Sequence, residues 1–386
     1  MPKKSIYLDY ASTTPLDKSI LKTMLPYMSL KFGNSSSQHE KGLETQDALE
    51  KARKIVAKAI NAEPEEIIFT SSATESNNLA LLGLALAKGK GHILISAIEH
   101  DSVIKPAKFL KEQGFNVELI PVDKFGQISP IKVKEIIKKN TILVSVMHAN
   151  NEIGTIEPIA KIGKICKDQG VLFHTDASQT LGKLKIDVKK MNIDFLTGSA
   201  HKIYGPKGVG FLYIRKGVKI EPLFHGGGQE FGLRSGTSNV AGIVGLAKAL
   251  NLAQKRVHGD EIKIRKMRDE LISGVLNKIP NSYLTGHPKK RLYNNASFRF
   301  DFVEGESIVE MLNQAGIYAS TASACASKTL EPSHVLLALG LKSHQAHGSL
   351  RLTLGRQTKE EDIEYVLKVL PKIIKKLRRL SPYGKK

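Results

Sequence analysis

The sequence is poor in cysteine, and it lacks tryptophan and any long hydrophobic run. Its 386 residues include two cysteines, too few for a disulfide framework, so we expect a reducing compartment. The longest apolar run, NLALLGLALA at residues 78–87, is too short to cross a bilayer. The N-terminal MPKKSIYLDY has charge but no apolar signal core. These absences predict a cytoplasmic protein that does not contact a membrane.

Acidic residues are also few relative to basic ones. The chain has 58 Lys and Arg against 37 Asp and Glu, a net charge of +21. Such a balance is compatible with an acidic partner or with RNA. However, the lysines are spread over nearly every predicted helix and do not alternate with aromatic residues as in single-strand binders. We interpret the charge as a solvated surface and do not expect direct nucleic-acid binding.

Short apolar runs separated by helical lengths fill residues 64–215. The runs are EIIFTS, GHILISAI, NVELIPV, TILVSVMHA, VLFHTDA, IDFLTGSA and VGFLYIR. Because they are apolar on both faces, they predict a buried, mostly parallel sheet of seven strands covered by helices. VGFLYIR follows YGPKG too closely for a helical crossover, which predicts one antiparallel strand.

The pattern changes after the glycine-rich HGGGQEFGLRSGT at residues 225–237. Two long helical stretches follow, SNVAGIVGLAKALNLAQKRV and EIKIRKMRDELISGVLNKI, and then a less regular alternation of strands and helices. We predict an α/β fold with a large domain at residues 15–255 and a smaller α+β C-terminal domain at 256–386, joined by the N-terminal segment 1–14.

Polar residues follow directly after five of the predicted strands, where parallel α/β sheets bind their ligands. These segments are SSATES, EH (residues 99–100), HANNEIG, DASQ and GSAHK. A polar group at a strand end is common singly. Five together predict one assembled site.

The residue types in this series meet the needs of one cofactor. Ser and Thr before an apolar helical run, with Glu75 in the first turn, mark a helix N-terminus suited to phosphate. Lys202 follows a strand, where burial favours a nucleophilic amine. Asp176 supplies a carboxylate at the same sheet edge, and His100 an imidazole for stacking or proton transfer. A phosphate site, a Schiff-base lysine and an Asp for a pyridinium nitrogen are what pyridoxal phosphate requires.

Motifs along nearly the whole chain resemble those of the cysteine desulfurases. They are YLDYASTTP, FGNSSSQH, SATESNN, HANNEIG, HTDASQTLGK, GSAHKIYGPKGVG, HGGGQE, RSGT, SACAS and HGSLRLTLGR, in order from residue 7 to about 356. They are most similar to the NifS/IscS branch of the class V aminotransferase-like enzymes. The resemblance implies the fold-type-I architecture of pyridoxal-phosphate-dependent transferases, with L-cysteine as substrate.

The resemblance also implies a role for each matched residue near the cofactor ring. Lys202 would bind pyridoxal phosphate covalently, and Asp176 would pair with the pyridine nitrogen. Gln179 would contact the phenolic oxygen of the ring. His100 would stack on the ring, and Asn151 would lie beside it.

Phosphate and substrate contacts are implied in the same way. Five residues would hold the phosphate, the last of them from the neighbouring subunit: Ala73, Thr74, Ser199, His201 and Thr237. A homodimer is therefore part of the expectation. The substrate carboxylate would be bound by Arg351 with help from Asn34.

Three positions depart from the family pattern without removing a catalytic group. Ser35 stands where proline is usual after FGN, Ser72 where glycine is usual before ATES, and Gly348 where serine is usual. We expect these changes to affect loop rigidity and the geometry of the phosphate site.

Cys325 lies in STASACASKTLEP, residues 320–332, among small residues that leave a thiol accessible. The resemblance implies that its thiolate attacks the substrate sulfur, giving alanine and a Cys325 persulfide. Lys202 would take the Cα proton, and His100 would serve as an acid–base group. The sulfur would pass to an iron–sulfur scaffold protein, to a tRNA-thiolation enzyme, or to both. Cys166, on the apolar face of PIAKIGKICKDQG, is interpreted as a buried structural residue.

Other interpretations stay open. A selenocysteine lyase would share this site, and relative rates on the two substrates separate it from a desulfurase. An ordinary class V aminotransferase does not need Cys325. A non-catalytic basic binding protein should have lost Lys202, Asp176 or Cys325, and none is lost. A permanent metal site from Cys325 and three histidines within residues 334–347 lacks standard ligand spacing, although transient iron–sulfur binding through the persulfide is compatible with the main interpretation.

Overall fold

The strands form three sheets in the residues that the structure, a computed structural model, describes, 5–321 and 331–381. In chain order they are β1 Ile6–Tyr7, β2 Ile67–Thr70, β3 His92–Ser96, β4 Asn116–Ile120, β5 Thr141–Ser145, β6 Leu172–Asp176, β7 Phe195–Ser199, β8 Gly210–Ile214, β9 Ser282–Leu284, β10 Asn295–Phe300, β11 Ile317–Tyr318 and β12 Ser349–Thr353. The large sheet has the order β2-β8-β7-β6-β5-β3-β4, a small sheet has the order β12-β10-β9, and β1 pairs with β11.

Helices separate most of the strands. They are α1 Lys18–Ser29, α2 Glu40–Ile60, α3 Ala73–Lys88, α4 Asp101–Glu112, α5 Pro130–Ile136, α6 Ile159–Asp168, α7 Val240–Lys278, α8 Gly305–Gln314, α9 His334–Ala338, α10 Ser343–His347 and α11 Glu360–Leu380. Short 3₁₀ turns lie at Pro64–Glu66, Ala200–Lys202 and Glu230–Gly232. Within the described chain, none of the helices is both long and apolar enough to cross a membrane.

The seven-stranded sheet confirms the predicted strands and their directions. β3 runs parallel to β4 and β5, β5 to β6, and β6 to β7. β8 is antiparallel to both β7 and β2, as its short connection predicts. Every residue of β3, β7 and β8 is buried, because helices cover both faces of the sheet.

Each face of the large sheet has its own apolar core. One core includes Val56 of α2 and Ile162 of α6, and the other includes Leu81 of α3 and Val103 of α4. Cys166 lies in the first core and is fully buried, which confirms its structural interpretation. Burial raises the pKa of its thiol to about 12, so Cys166 is not reactive at neutral pH.

The two helical stretches expected after residue 237 form the single helix α7, 39 residues long. Its first half packs on the large sheet through Leu250, and its second half packs through Leu271 against β10, β12 and α11. The predicted domain boundary at 255/256 falls inside this helix, so the division into two domains stays a prediction.

β12 follows Gly348, where a Cβ would lie 2.2 Å from the carbonyl oxygen of Phe300. Glycine at position 348 is therefore required by packing.

The buried carboxyl group of Glu157 makes stability depend on pH. Glu157 is 3% exposed, and its Oε2 accepts a hydrogen bond from the backbone N–H of Ile128 at 2.8 Å. Burial raises its pKa from 4.5 to about 8. Between these values the folded chain holds a proton that the unfolded chain releases, so the free energy of unfolding falls as pH rises. The fall attributable to Glu157 is on the order of 4 kcal/mol.

We expect Glu157→Gln to remove this part of the decline. The two proteins should differ little at pH 5, and the glutamine variant should be the more stable at pH 8. Urea unfolding from pH 5 to 8 measures the slope, with the exposed Glu65→Gln as control. An unchanged slope in Glu157→Gln would contradict the assignment.

Candidate active site

The predicted strand-end residues converge on one cavity of ≈ 270 Å³ at the carboxyl ends of β2, β3, β5, β6 and β7. It is lined by Ala11, Ser12, Ser72, Ala73, Thr74, His100, Ser102, Met147, Ala149, Asn151, Asp176, Ser178, Gln179, His201, Lys202 and Arg351. A larger groove of ≈ 550 Å³ beside α2 and α7 contains none of the predicted site residues. The residues predicted from sequence thus point to the smaller of these two cavities.

The N-terminus of α3 forms an end of the cavity suited to an anion, because its first backbone N–H groups lack helical partners. Ser72 is the N-cap, and its Oγ accepts a hydrogen bond from Glu75 N at 3.2 Å. Ala73 and Thr74 begin the helix and line the cavity. A Cβ on Gly210 would lie 2.9 Å from the carbonyl carbon of Ser72. Ser72 itself is extended, with φ −170°, so serine in place of the family's glycine causes no strain.

The segment at residues 224–239 packs on the first turn of α3. Arg234 Nε donates a hydrogen bond to Glu75 Oε1 at 2.8 Å. Thr237, three residues further on, is exposed and does not line the cavity of its own subunit. Asn34 is likewise exposed and absent from the lining. The contacts predicted for Thr237 and Asn34 stay predictions.

Lys202 is presented by the 3₁₀ turn that follows β7. Its Nζ donates hydrogen bonds to the backbone oxygens of Ala11 at 2.6 Å and Ser12 at 2.7 Å. The side-chain amide of Gln179 donates to the same Ala11 oxygen at 2.9 Å. The N-terminal segment thus orients both the lysine and the glutamine toward the cavity.

His201 lies within the turn that carries Lys202, and Ser199 directly precedes that turn. Burial, with the charges of Lys202 and Lys207, lowers the pKa of His201 to about 4, so His201 is neutral at pH 7. One ring nitrogen of His201 lies 3.1 Å from Thr13 Oγ1. Ser199 is buried at the end of β7 and does not line the cavity. Its predicted phosphate contact stays a prediction.

A buried hydrogen-bond network joins Asp176 to His100. Asp176 Oδ1 accepts from Ser178 N and Oδ2 accepts from Asn77 Nδ2, both at 2.8 Å. Asn77 Nδ2 also donates to Ser102 Oγ at 2.8 Å, and this oxygen lies 2.8 Å from His100 Nδ1. Each carboxylate oxygen of Asp176 thus accepts one hydrogen bond from the surrounding chain. Burial is the main cause that lowers the pKa of His100, which favours the neutral ring.

Arg351 of β12 reaches the cavity from the C-terminal part of the chain and is 3% exposed. Its Nη2 donates to Asp9 Oδ1 and to Ser12 Oγ, each at 2.7 Å, and Nη1 donates to the backbone oxygen of Asn151 at 3.2 Å. Its Nε has no hydrogen-bond partner in residues 5–321 and 331–381. A guanidinium with an unused donor suits a carboxylate ligand.

Cys325 lies outside the residues that the structure describes. The described chain on either side contacts residues of the site. Ser320 and Arg351 exchange backbone hydrogen bonds, with the Arg351 N to Ser320 O distance at 2.7 Å. Ser333 Oγ donates to Glu152 Oε2 at 2.5 Å, one residue after Asn151. Ser320 thus contacts Arg351 of the cavity wall, and Ser333 contacts the residue that follows Asn151 of the same wall.

Four residues contact the predicted site but were not predicted from the sequence as part of it: Asn77, Ser102, Asp9 and Ser12. Asn77 follows Ala73 by four residues, so it lies on the same face of α3. It is fully buried and stands in SATESNN, one of the motifs that carry the resemblance, a signal that could have identified it. Asp9 and Ser12 stand in YLDYASTTP, which carries the resemblance, but their partner Arg351 lies more than 300 residues away.

The aminotransferase class-V family model matches residues 6–366, so the chain belongs to that family. Cysteine desulfurase IscS 1 of Archaeoglobus fulgidus is 53% identical over 379 residues, covering 97% of this chain and 98% of the relative. The solved structure of a NifS-like protein has a TM-score of 0.91 at 39% identity and covers 97% and 100% of the two chains. A structure described as SspA in complex with cysteine has a TM-score of 0.82 at 38% identity and covers 91% and 99%. Within the class-V family, the chain is a member of the NifS/IscS-type cysteine desulfurases.

Proposed function

We propose that this chain removes sulfur from L-cysteine with pyridoxal phosphate as cofactor, giving L-alanine and a persulfide on Cys325. The observation that carries the proposal is the meeting of Lys202, Asp176 and His100 with the N-terminus of α3 in one cavity. Relatives named cysteine desulfurase and a related structure in complex with cysteine support the choice of substrate.

The residues present fit pyridoxal phosphate. The N-terminal amides of α3 suit its phosphate. Because residue 210 is glycine, no Cβ crowds the backbone of Ser72 and Ala73. Lys202 would hold the aldehyde carbon, and Asp176 would hold the ring nitrogen. The hydroxyl of Ser178 lines the cavity and is buried without a partner in the described chain, so it can accept a polar ligand group.

Bound there, pyridoxal phosphate supplies an electron sink for the pair released at the substrate's Cα. Side chains of the protein bind the substrate and transfer its proton and sulfur. Arg351 binds the substrate carboxylate, and the amine of Lys202 takes the Cα proton. The thiolate of Cys325 then forms a bond to the substrate sulfur as the Cβ–S bond breaks. The electron pair of that bond stays on Cβ, which takes a proton to become the methyl group of alanine.

The chain length lets Cys325 reach the cavity. Cys325 is the fourth residue after Thr321, so the two Cα atoms are at most about 14 Å apart in an extended chain. Thr321 directly follows Ser320, which is hydrogen-bonded to Arg351 in the cavity wall. The covalent connection therefore allows the thiol to approach substrate bound at Arg351.

Arg351→Lys is expected to weaken cysteine binding. Lysine keeps the charge but loses the fork that binds a carboxylate with two hydrogen bonds. We expect kcat/KM for L-cysteine to fall about 10²-fold, mostly through KM, with cofactor absorbance retained. Steady-state kinetics measure this. The control is Arg299→Lys, in the neighbouring strand β10 and outside the cavity. Equal KM values for Arg351→Lys and the wild type would contradict the role.

A homodimer is part of the proposal. α1 and the residues after it expose large apolar side chains that are 41% to 75% accessible: Leu21, Leu25, Met28, Leu30 and Phe32. We propose that a second copy covers this surface, since single subunits rarely expose such patches. Thr237 of the partner subunit would then reach the phosphate. Sedimentation equilibrium tests the assembly, and a monomer at micromolar concentration would exclude it.

We further propose that the persulfide passes its sulfur to an iron–sulfur scaffold protein or to a tRNA-thiolation enzyme. The small residues that surround Cys325 in the sequence support transfer to a protein acceptor. Incubation with ³⁵S-cysteine and each acceptor type measures where the label goes. Label that stays on Cys325 with both acceptors would exclude this route.

The activity assay separates the proposal from its rivals. Purified protein with pyridoxal phosphate and an added thiol reductant, which frees the persulfide sulfur as sulfide, should release alanine and sulfide from L-cysteine in equal amounts. A transaminase would instead consume an amino acceptor and release no sulfide. A selenocysteine lyase would act on L-selenocysteine and leave L-cysteine nearly untouched. Either of these results would replace the proposed reaction.

A further inference from the structure

The hydrogen bonds around His100 determine which of its ring nitrogens accepts a hydrogen bond and which one carries the proton. His100 is the N-cap of α4, and its Nδ1 accepts from the backbone N–H of Ser102 at 3.1 Å. Since a backbone N–H can only donate, Nδ1 must be the unprotonated nitrogen. A neutral imidazole with unprotonated Nδ1 carries its proton on Nε2.

The side chain of Ser102 makes a second contact of the same kind. Its Oγ lies 2.8 Å from His100 Nδ1 and accepts a hydrogen bond from Asn77 Nδ2 at 2.8 Å. The hydroxyl proton of Ser102 is thereby left to be donated to Nδ1. The Asn77 amide is itself oriented by Asp176, whose carboxylate Oδ2 accepts its other N–H at 2.8 Å.

We propose that Ser102 and Asn77 are positioning residues that hold His100 as the neutral tautomer with its proton on Nε2. His100 then offers the cavity a hydrogen-bond donor, which specifies the acid–base role that the resemblance implies for it. The inference rests on the proposed function only for the identity of the ligand. Its consequence is a division of labour: proton abstraction from the substrate falls to Lys202, which lines the same cavity.

The charged groups around His100 are compatible with this neutral form. Burial is the largest influence on the pKa of His100 and lowers it. Lys202 and His334 lower it further, whereas Asp176 and Asp101 oppose them. The other titratable and charged side chains that line the cavity are His201 and Arg351. Two donors aimed at Nδ1 stabilise the neutral ring further, because a proton on Nδ1 would face the N–H of Ser102.

Nitrogen NMR of the full chain labelled with ¹⁵N-histidine tests the proposal, with and without added pyridoxal phosphate. The His100 signals are identified by their loss in His100→Gln. We expect the wild type to carry the His100 proton on Nε2. In Ser102→Ala the midpoint of His100 protonation should rise by about 0.5 to 1 pH unit, because one donor to the neutral ring is lost.

Two variants separate positioning from a merely structural role. Ser102→Thr keeps the hydroxyl and should restore the wild-type midpoint. Ser129→Ala removes the N-cap hydroxyl of α5, away from the cavity, and should lower stability without moving the midpoint. A proton on Nδ1 in the wild type, or an unchanged midpoint in Ser102→Ala, would overturn the proposal. Because the spectrum of the chain without cofactor reports the tautomer directly, failure here is distinct from failure of the desulfurase proposal.

Discussion

Lys202→Ala is expected to abolish covalent attachment of pyridoxal phosphate and to lower alanine formation from L-cysteine at least about 10³-fold, the scale seen when an essential nucleophile is removed. Lys202 Nζ lies at the end of the 3₁₀ turn after β7, oriented by the backbone oxygens of Ala11 and Ser12. Gln179 holds one of those oxygens in place. Lys202 is the only lysine among the described residues that line this cavity.

Borohydride reduction followed by peptide mass spectrometry measures the attachment. The wild type should carry the reduced cofactor on the Lys202 peptide, and the variant should carry none. Lys185→Ala is the matched control, because Lys185 is exposed and lies outside the cavity. Attachment to the buried Lys183 in the wild type would show that the wrong lysine was chosen. Burial lowers the pKa of Lys183 to about 7, which makes it the natural competitor.

Cys325→Ala is expected to lower sulfide release about 10³-fold while leaving cofactor attachment at Lys202 intact. The reason is chemical: without the thiolate, the Cβ–S bond of the substrate has no sulfur acceptor. Alanine and sulfide assays in the presence of a thiol reductant, with the visible absorbance of the cofactor recorded beside them, measure both properties. Cys166→Ala is the control, since Cys166 is buried and its raised pKa keeps the thiol protonated. Wild-type sulfide release by Cys325→Ala would point to a lyase that needs no thiol.

The large sheet was predictable from sequence because most of its strands are buried on both faces, the partly exposed edge strand β4 being the exception. Such strands appear as continuous apolar runs, as in the HILIS of β3 and the GFLYI of β8, and their order of appearance matched the structure. The strand-end rule then placed His100, Asp176 and Lys202 at one edge. Helix continuity was harder to predict. α7 passes through Gly259 and a charged stretch that lack a core-facing pattern, so the sequence suggested two helices.

The supporting contacts of the site could not be predicted from local pattern. The Asp9–Arg351 ion pair at 2.7 Å joins residues 342 apart in sequence, and no periodicity relates them. The bonds from Asn77 to Ser102 and Asp176 depend on how α3, α4 and β6 meet in space. A buried amide in a helix shows only that some partner must exist. Identifying that partner required the tertiary structure.

The central claim is that sulfur moves from L-cysteine to Cys325. The most direct measurement is the mass of the Cys325 peptide after the pyridoxal-phosphate-loaded protein has turned over L-cysteine without reductant. We expect this peptide to gain one sulfur atom and one alanine to form per persulfide. The Cys166 peptide should be unchanged. Alanine formation with an unmodified Cys325 peptide, or sulfur found on Cys166 instead, would contradict the claim.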